Sequence, residues 1–169
     1  MKKVLVLVDD IYEDLELWYP KIRLEEAGFH VIVAGPLGKH LYKGKHGYPC
    51  QSDIAFKEIS VQEYQGVIIP GGYAPDRMRR HQELLDAVHA FDQAHKLVAF
   101  ICHAGWVPSS AKILKGRKIT SFSAIKDDME NAGAHWVDEA VVVDDNLISS
   151  RTPADLPFFL KAILQFLKA

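Results

Sequence analysis

Cys102 and His103 follow directly on five apolar residues, Leu97 to Ile101, and precede Ala104-Gly105-Trp106. A continuous apolar run of that length reads as a strand buried on both faces. A thiol at the end of such a strand, in a tight turn before a helix, is exposed at the carboxyl edge of a sheet. The positive N-terminal end of the helix is then aimed at the sulfur, which favours a thiolate. The chemistry this suggests is nucleophilic attack on an electrophilic carbon. Two further polar clusters end apolar runs in the same way: Asp9–Asp14 after Val4–Val8, and Gly71–Asp76 after Gly66–Pro70. Ligands of doubly wound sheets sit outside the carboxyl ends of the strands, so all three clusters should converge on one site.

Each candidate has a distinct role. Glu13 is the acidic residue expected to face the thiol. Burial would keep it protonated, able to donate to a thiolate or pass a proton to a substrate. Gly71-Gly72 lacks side chains, so its backbone can approach a ligand and its amides can serve as an oxyanion hole. His103 adjoins Cys102, and its ring reaches the sulfur only if the turn is strained; otherwise it caps the helix. Cys50 lies in a Gly/Lys/His-rich excursion and is read as structural. Gly71-Gly72-Tyr73-Ala74-Pro75 lacks the spacing of a phosphate loop. The eight histidines show no close ligand spacing, so neither metal nor cofactor is expected.

The elements that must position these residues follow from periodicity. Strands are expected at 4–8, 30–34, 66–70, 97–101 and 118–122, with a strand near Val137 and a terminal hairpin of 141–143 and 147–150. Helices are expected over 14–27 (with Leu15, Trp18, Ile22 and Leu24 on the inward face), 79–95, 107–114, 125–131 and 153–167. Residues 35–49 read as a hairpin or excursion, and 53–58 as polar and extended. The β-α-β order predicts one α/β domain over 1–169, a doubly wound three-layer α/β/α sandwich around a mostly parallel sheet.

Bulk properties narrow the function classes. The 169 residues hold 20 basic and 22 acidic side chains, a formal net charge of −2, which points away from nucleic-acid or membrane partners. No apolar run approaches the roughly 20 residues of a membrane span. Val4–Val8 is too short for a signal-peptide core, and two cysteines make no disulfide framework, so a cytoplasmic location with reduced thiols is expected.

Six segments taken together resemble the PfpI family of intracellular proteases, in the superfamily of DJ, ThiJ and the class I glutamine amidotransferases. They are Glu13-Asp14-Leu15-Glu16-Leu17, Gly44-Lys45-His46-Gly47-Tyr48, Pro70-Gly71-Gly72, Ile101-Cys102-His103, Ile125-Lys126-Asp127-Asp128 and Ser149 to Leu156. The resemblance spans essentially the whole chain. It implies a flavodoxin-like sandwich with Cys102 on a strained nucleophile elbow. It further implies that Glu13 hydrogen-bonds Cys102 and that the amides of Gly72 and His103 form the oxyanion hole. Asp76 would reach across a subunit interface to orient His103, so a homo-oligomer, a dimer or hexamer, would complete the site.

Three departures stand out. Asp76 replaces the more usual Glu, Phe122 replaces an aromatic hydroxyl, and Ala104-Gly105-Trp106 replaces a Gly-Pro start, with Trp106 expected to narrow a pocket that also includes Gly71 and Phe122. The activities implied are of glyoxalase or protein-deglycase type on reactive carbonyls and glycated amines. The alternatives are an intracellular cysteine peptidase with the same site, or a redox-sensing or chaperone-like stress protein without catalysis.

Overall fold

The computed structural model describes residues 2–168. Eleven strands and six α-helices follow in the order β1 (Lys3–Leu7), α1 (Asp14–Glu26), β2 (His30–Gly35), β3 (Leu41–Lys43), β4 (Pro49–Gln51), β5 (Ile54–Ala55), β6 (Tyr64–Ile69), α2 (Ala74–Met78), α3 (Gln82–Gln93), β7 (Leu97–Ile101), α4 (Trp106–Ser110), β8 (Lys118–Ile119), α5 (Lys126–Asn131), β9 (His135–Trp136), β10 (Val141–Asp144), β11 (Leu147–Ser150) and α6 (Leu156–Lys168). Seven strands form one sheet in the order β10-β11-β7-β6-β1-β2-β5. Every pairing in it is parallel except the terminal hairpin β10–β11. Helices α1 and α6 pack on one face and α3 on the other, with α2, α4 and α5 continuing that second layer. The mostly parallel α/β/α sandwich expected from the sequence is present.

The central strands read as apolar runs because both faces are covered. Val4 to Val8 and Leu97 to Ile101 are all fully buried. Each such side chain contributes about 1.5–3 kcal/mol relative to exposure, which sets the sheet's centre at β1, β6 and β7. From β1 the chain moves out to β2 and β5, then returns to place β6 on the other side of β1. The strand order reverses at this point, so the loops leaving β1, β6 and β7 meet at one edge.

Four local expectations are corrected. Helix α1 turns a different face inward: Leu17, Pro20, Leu24 and Glu16 are buried, while Leu15 and Ile22 are each 57% exposed. A polar residue, Glu16, belongs to the inner face, which apolar counting could not register. The helix expected over 79–95 is split, because α2 closes at Arg79 and α3 begins at Gln82. The helix expected over 107–114 has only five residues, Trp106–Ser110, after a 3-10 turn at Cys102–Gly105. The strand expected over 118–122 is two residues long and pairs only with β9. Past it the amide of Thr120 donates to Ser149 Oγ and that of Phe122 to the Cys102 carbonyl, so the ladder ends.

Candidate active site

Cys102 occupies the left-handed region, with φ 63°. A non-glycine residue there stores roughly 1–2 kcal/mol of strain. The strained turn brings His103 Nδ1 to 3.2 Å from Cys102 Sγ, the contact that adjacent residues otherwise miss. The imidazole stacks on Phe122, centroids 4.9 Å apart and planes at 29°, and meets the edge of Trp106 at 5.4 Å. Burial, and secondarily Lys45, lower its pKa, so it faces the sulfur as a neutral base.

Glu16, not Glu13, stands behind the sulfur. Its side chain is fully buried, its Oε2 accepts the Gly71 amide at 2.7 Å, and its Oε1 is buried without a hydrogen-bond partner among the described residues. Glu13 is the N-cap of α1, with its amide bound to the Gly71 carbonyl. From there its side chain runs toward the 44–48 turn, with Oε2 3.5 Å from Lys45 Nζ and 3.6 Å from His46 Nε2. It lines the cavity but partners the turn. Both glutamates lie in the recognised motif, three residues apart on one helical face. The rotation of α1 against the sheet decides which of them points inward.

Glu16 is pushed up to about 8, first by burial and also by the charge of Glu13, against the Gly71 amide and the Cys102 contact that lower it. It therefore holds its proton at neutral pH. Cys102 is pushed up to about 12, first by burial and then by the charge of Glu16, while the amides of His103 and Gly72 act in the opposite direction. A protonated Glu16 removes that charge and offers the sulfur a donor instead. The expected thiolate stabilisation by a helix end is not provided, since α4 is one short turn. Amides and a neutral carboxyl take its place.

Gly72 has φ 78°, and a Cβ there would lie 2.5 Å from both the Ile11 carbonyl and the Glu13 amide. Only glycine fits this loop, and the amides of Gly72 and His103 both lower the pKa of the Cys102 thiol. Gly71 is corrected from cavity wall to support. A Cβ on it would lie 2.5 Å from Glu16 Oε2 and 2.7 Å from Cys102 Cβ, beneath the cavity.

The cavity itself holds about 260 Å³, and Cys102, His103, Trp106 and Phe122 are among the residues that wall it. Lys45, Tyr73, Thr152 and Pro153 also line it and were not singled out. Lys45 and the Thr152-Pro153 pair lie inside recognised motifs, which was the available signal. Asp76 sits on α2, outside this lining, with Oδ2 2.5 Å from Arg80 of its own chain. Glu13, Asp14 and His46 bring donor atoms within 4.8 Å of one another, a spacing a metal ion could use. Both Asp14 oxygens, however, already accept amides, from His46 at 2.9 Å and Tyr48 at 3.0 Å. That carboxylate is a latch for the turn carrying Lys45.

A cysteine on a strained strand-to-helix turn, at the switch point of a doubly wound sheet and backed by a buried carboxyl, defines a class of α/β proteins with a nucleophile elbow. The chain belongs to the DJ-1/PfpI family, whose model matches residues 2–166. It is 43% identical over 166 residues to a deglycase of Pyrococcus abyssi, covering 98% of this chain and 99% of that protein. The deglycase PfpI of Pyrococcus furiosus is 42% identical over the same length and coverage. YraA of Bacillus subtilis, named as a candidate cysteine protease, is 37% identical, covering 99% of each chain. Among solved structures, an Anabaena variabilis protein with DJ-1/ThiJ/PfpI-like and ferritin-like domains superposes with a TM-score of 0.98 at 44% identity. The match covers 99% of this chain and 48% of that one. Drosophila melanogaster DJ-1beta superposes at 0.92 with 27% identity, covering 98% and 90%. No described helix is long and apolar enough to cross a membrane.

Proposed function

We propose that this chain is a cysteine-nucleophile enzyme acting on small reactive carbonyls of the glyoxal type and on their adducts with amines. The carrying observation is Cys102 Sγ at the base of a cavity of about 260 Å³, within 3.2 Å of a neutral imidazole and faced by two backbone amides. That volume lies just below the roughly 300–1,000 Å³ usual for ligand pockets. It suits a few heavy atoms better than an extended peptide. The deglycase names of the archaeal relatives support the same substrate class.

The chain's own groups supply each proton and charge. The Cys102 thiol gives its proton to His103 Nδ1 as sulfur adds to the aldehyde carbon. The carbonyl π electrons move to oxygen, and the amides of Gly72 and His103 stabilise the alkoxide. Glu16, still protonated, or the imidazolium returns a proton to that oxygen, leaving a neutral hemithioacetal on Cys102. From an α-oxoaldehyde, moving a proton from this carbon to its neighbour, with the hydroxyl proton passing to the neighbouring oxygen, converts the adduct to a thioester. Water then cleaves it to the 2-hydroxy acid and restores the thiol. From a carbinolamine adduct, sulfur displaces the amine at that carbon, the C–N bond breaking as the C–S bond forms, and the imidazolium gives the thiol's proton to the departing nitrogen, which leaves the same hemithioacetal.

The test is parallel turnover of methylglyoxal, glycated amino acids and a peptide panel by wild type and Cys102→Ala. Carbonyl turnover lost in the variant, with peptides untouched by wild type, is the expected result. Peptide cleavage without carbonyl turnover assigns the site to a peptidase, and activity retained by Cys102→Ala removes the mechanism.

A further inference from the structure

We propose that the Glu13–Lys45 pair in the cavity wall selects carbonyl adducts of free α-amino acids, Glu13 taking the adduct nitrogen and Lys45 the neighbouring carboxylate. This rests on the cysteine-nucleophile reading above and narrows its amine substrates.

Two opposite charges line the same cavity as the nucleophile. Glu13 Oε2 stands 3.5 Å from Lys45 Nζ. That is longer than the roughly 2.7–2.9 Å of a charge-assisted N–H···O hydrogen bond. Lys3 and Glu63 of this chain, by contrast, meet at 2.7 Å. The wall pair is apposed without closing on itself. Burial dominates the pKa shifts of His103, Glu16 and Cys102, but both wall charges act on them as well. Lys45 lowers His103 and Glu16, and Glu13 raises Glu16 and Cys102.

Backbone contacts fix both residues. Glu13 follows Tyr12, which is bridged to Gly72, and its own amide donates to the Gly71 carbonyl at 3.1 Å. The Lys45 amide donates to the Tyr12 carbonyl at 2.8 Å. Gly44 is required before it, since a Cβ there would collide with the Asp14 carboxylate. The two charges therefore hold a set place beside the loop that carries Gly72. A wall with one charge of each sign complements a ligand with one of each. In the carbinolamine of a free α-amino acid, nitrogen and carboxylate share one carbon, and the carbon that sulfur attacks is bonded to that nitrogen. An adduct on a protein lysine or arginine has no carboxylate at that place. One on a protein N-terminus has a neutral amide there.

The experiment measures protection of Cys102 from iodoacetamide by N-(2-oxopropyl)-L-alanine and by its primary amide. Both probes keep the nitrogen and a carbonyl, and neither has a carbinol carbon for sulfur to displace. Wild type is expected to bind the acid about 10- to 100-fold more tightly than the amide, the range for one hydrogen bond between charged groups. Lys45→Met should bind the two alike, and Lys45→Arg should keep most of the preference. Glu13→Gln should bind the amide several-fold more weakly than wild type does, having lost the charge that faces the nitrogen. Equal protection by the two probes in wild type overturns the proposal, as does a preference for the acid that survives Lys45→Met. Unweakened binding of the amide by Glu13→Gln makes Glu13 a counter-ion of Lys45 only, and also overturns it. Methylglyoxal turnover is measured alongside. If wild type turns it over without distinguishing the probes, the recognition fails and the chemistry of the site stands. If it distinguishes them but turns over neither methylglyoxal nor its alanine adduct, the chemistry fails and the recognition stands.

Discussion

Glu16 and Gly71 are bonded to each other directly beneath Cys102, the carboxyl Oε2 accepting the glycine amide at 2.7 Å. The amide fixes one oxygen of the carboxyl. The other is buried and has no hydrogen-bond partner among the described residues. The same glycine carbonyl accepts the Glu13 amide, so the start of α1 and the loop after β6 are laced together at one residue.

Glu16→Gln is the direct probe of this arrangement. Gln keeps an acceptor for Gly71 and a donor for sulfur but has no proton to give. Turnover is expected to fall about 10²–10⁴-fold, the range for losing a general acid. Thiol reactivity should change with a definite sign. Above pH 8 the wild-type Glu16 ionises and raises the thiol, whereas Gln stays neutral. Iodoacetamide should therefore alkylate the variant faster than wild type at pH 9 and at a similar rate at pH 6.5.

The same carboxyl makes folding stability depend on pH. Its folded pKa, about 8, lies above its ordinary value of 4.5, so the folded state binds the proton more tightly. This contribution is fully present below pH 4.5 and is lost as pH rises through 8. Between those limits stability should fall by up to ~1.4 kcal/mol per pH unit. Denaturant unfolding from pH 5 to 9 should show the slope in wild type and not in Glu16→Gln.

Legibility in the sequence divides along one physical line. Leu97–Ile101 was readable to the residue because a strand buried on both faces needs an unbroken apolar run, and the elbow followed from it. Gly72, Cys102 and His103 were readable because backbone geometry at a sheet edge restricts residue type. Glu16 was not, since a buried carboxyl looks like a surface residue until the helix is docked. The inward face of α1 was misjudged for the same reason: Leu15 and Ile22 are apolar yet turn outward. Lys45 reaches the cavity on a turn held by Asp14, whose carboxylate accepts the amides of His46 and Tyr48, 32 and 34 positions away in the chain.

That latch makes a separate expectation. Asp14→Ala leaves the amides of His46 and Tyr48 without their acceptor, at a cost of about 0.5–1.5 kcal/mol for each hydrogen bond. The 44–48 turn would loosen and Lys45 would leave the cavity rim. The Cys102, His103 and Glu16 contacts do not depend on this turn. KM for methylglyoxal should therefore rise several-fold while kcat stays within about twofold, because ground-state and transition-state binding are lost together. A fall in kcat at constant KM would place Lys45 in the chemistry instead.

The strain at Cys102 can be measured by removing it in two ways. Cys102→Ala deletes the sulfur but keeps a Cβ at φ 63°, whereas Cys102→Gly deletes both. Neither should turn over substrate. Glycine adopts this conformation freely, though it gives the unfolded chain more entropy. The relief of strain, about 1–2 kcal/mol, should exceed that loss. Cys102→Gly is therefore expected to be more stable than Cys102→Ala by roughly 1 kcal/mol, seen as a higher urea midpoint at unchanged m-value. Equal midpoints would mean that the hydrogen bond from the Phe122 amide to the Cys102 carbonyl, together with the packed elbow, holds this backbone without strain.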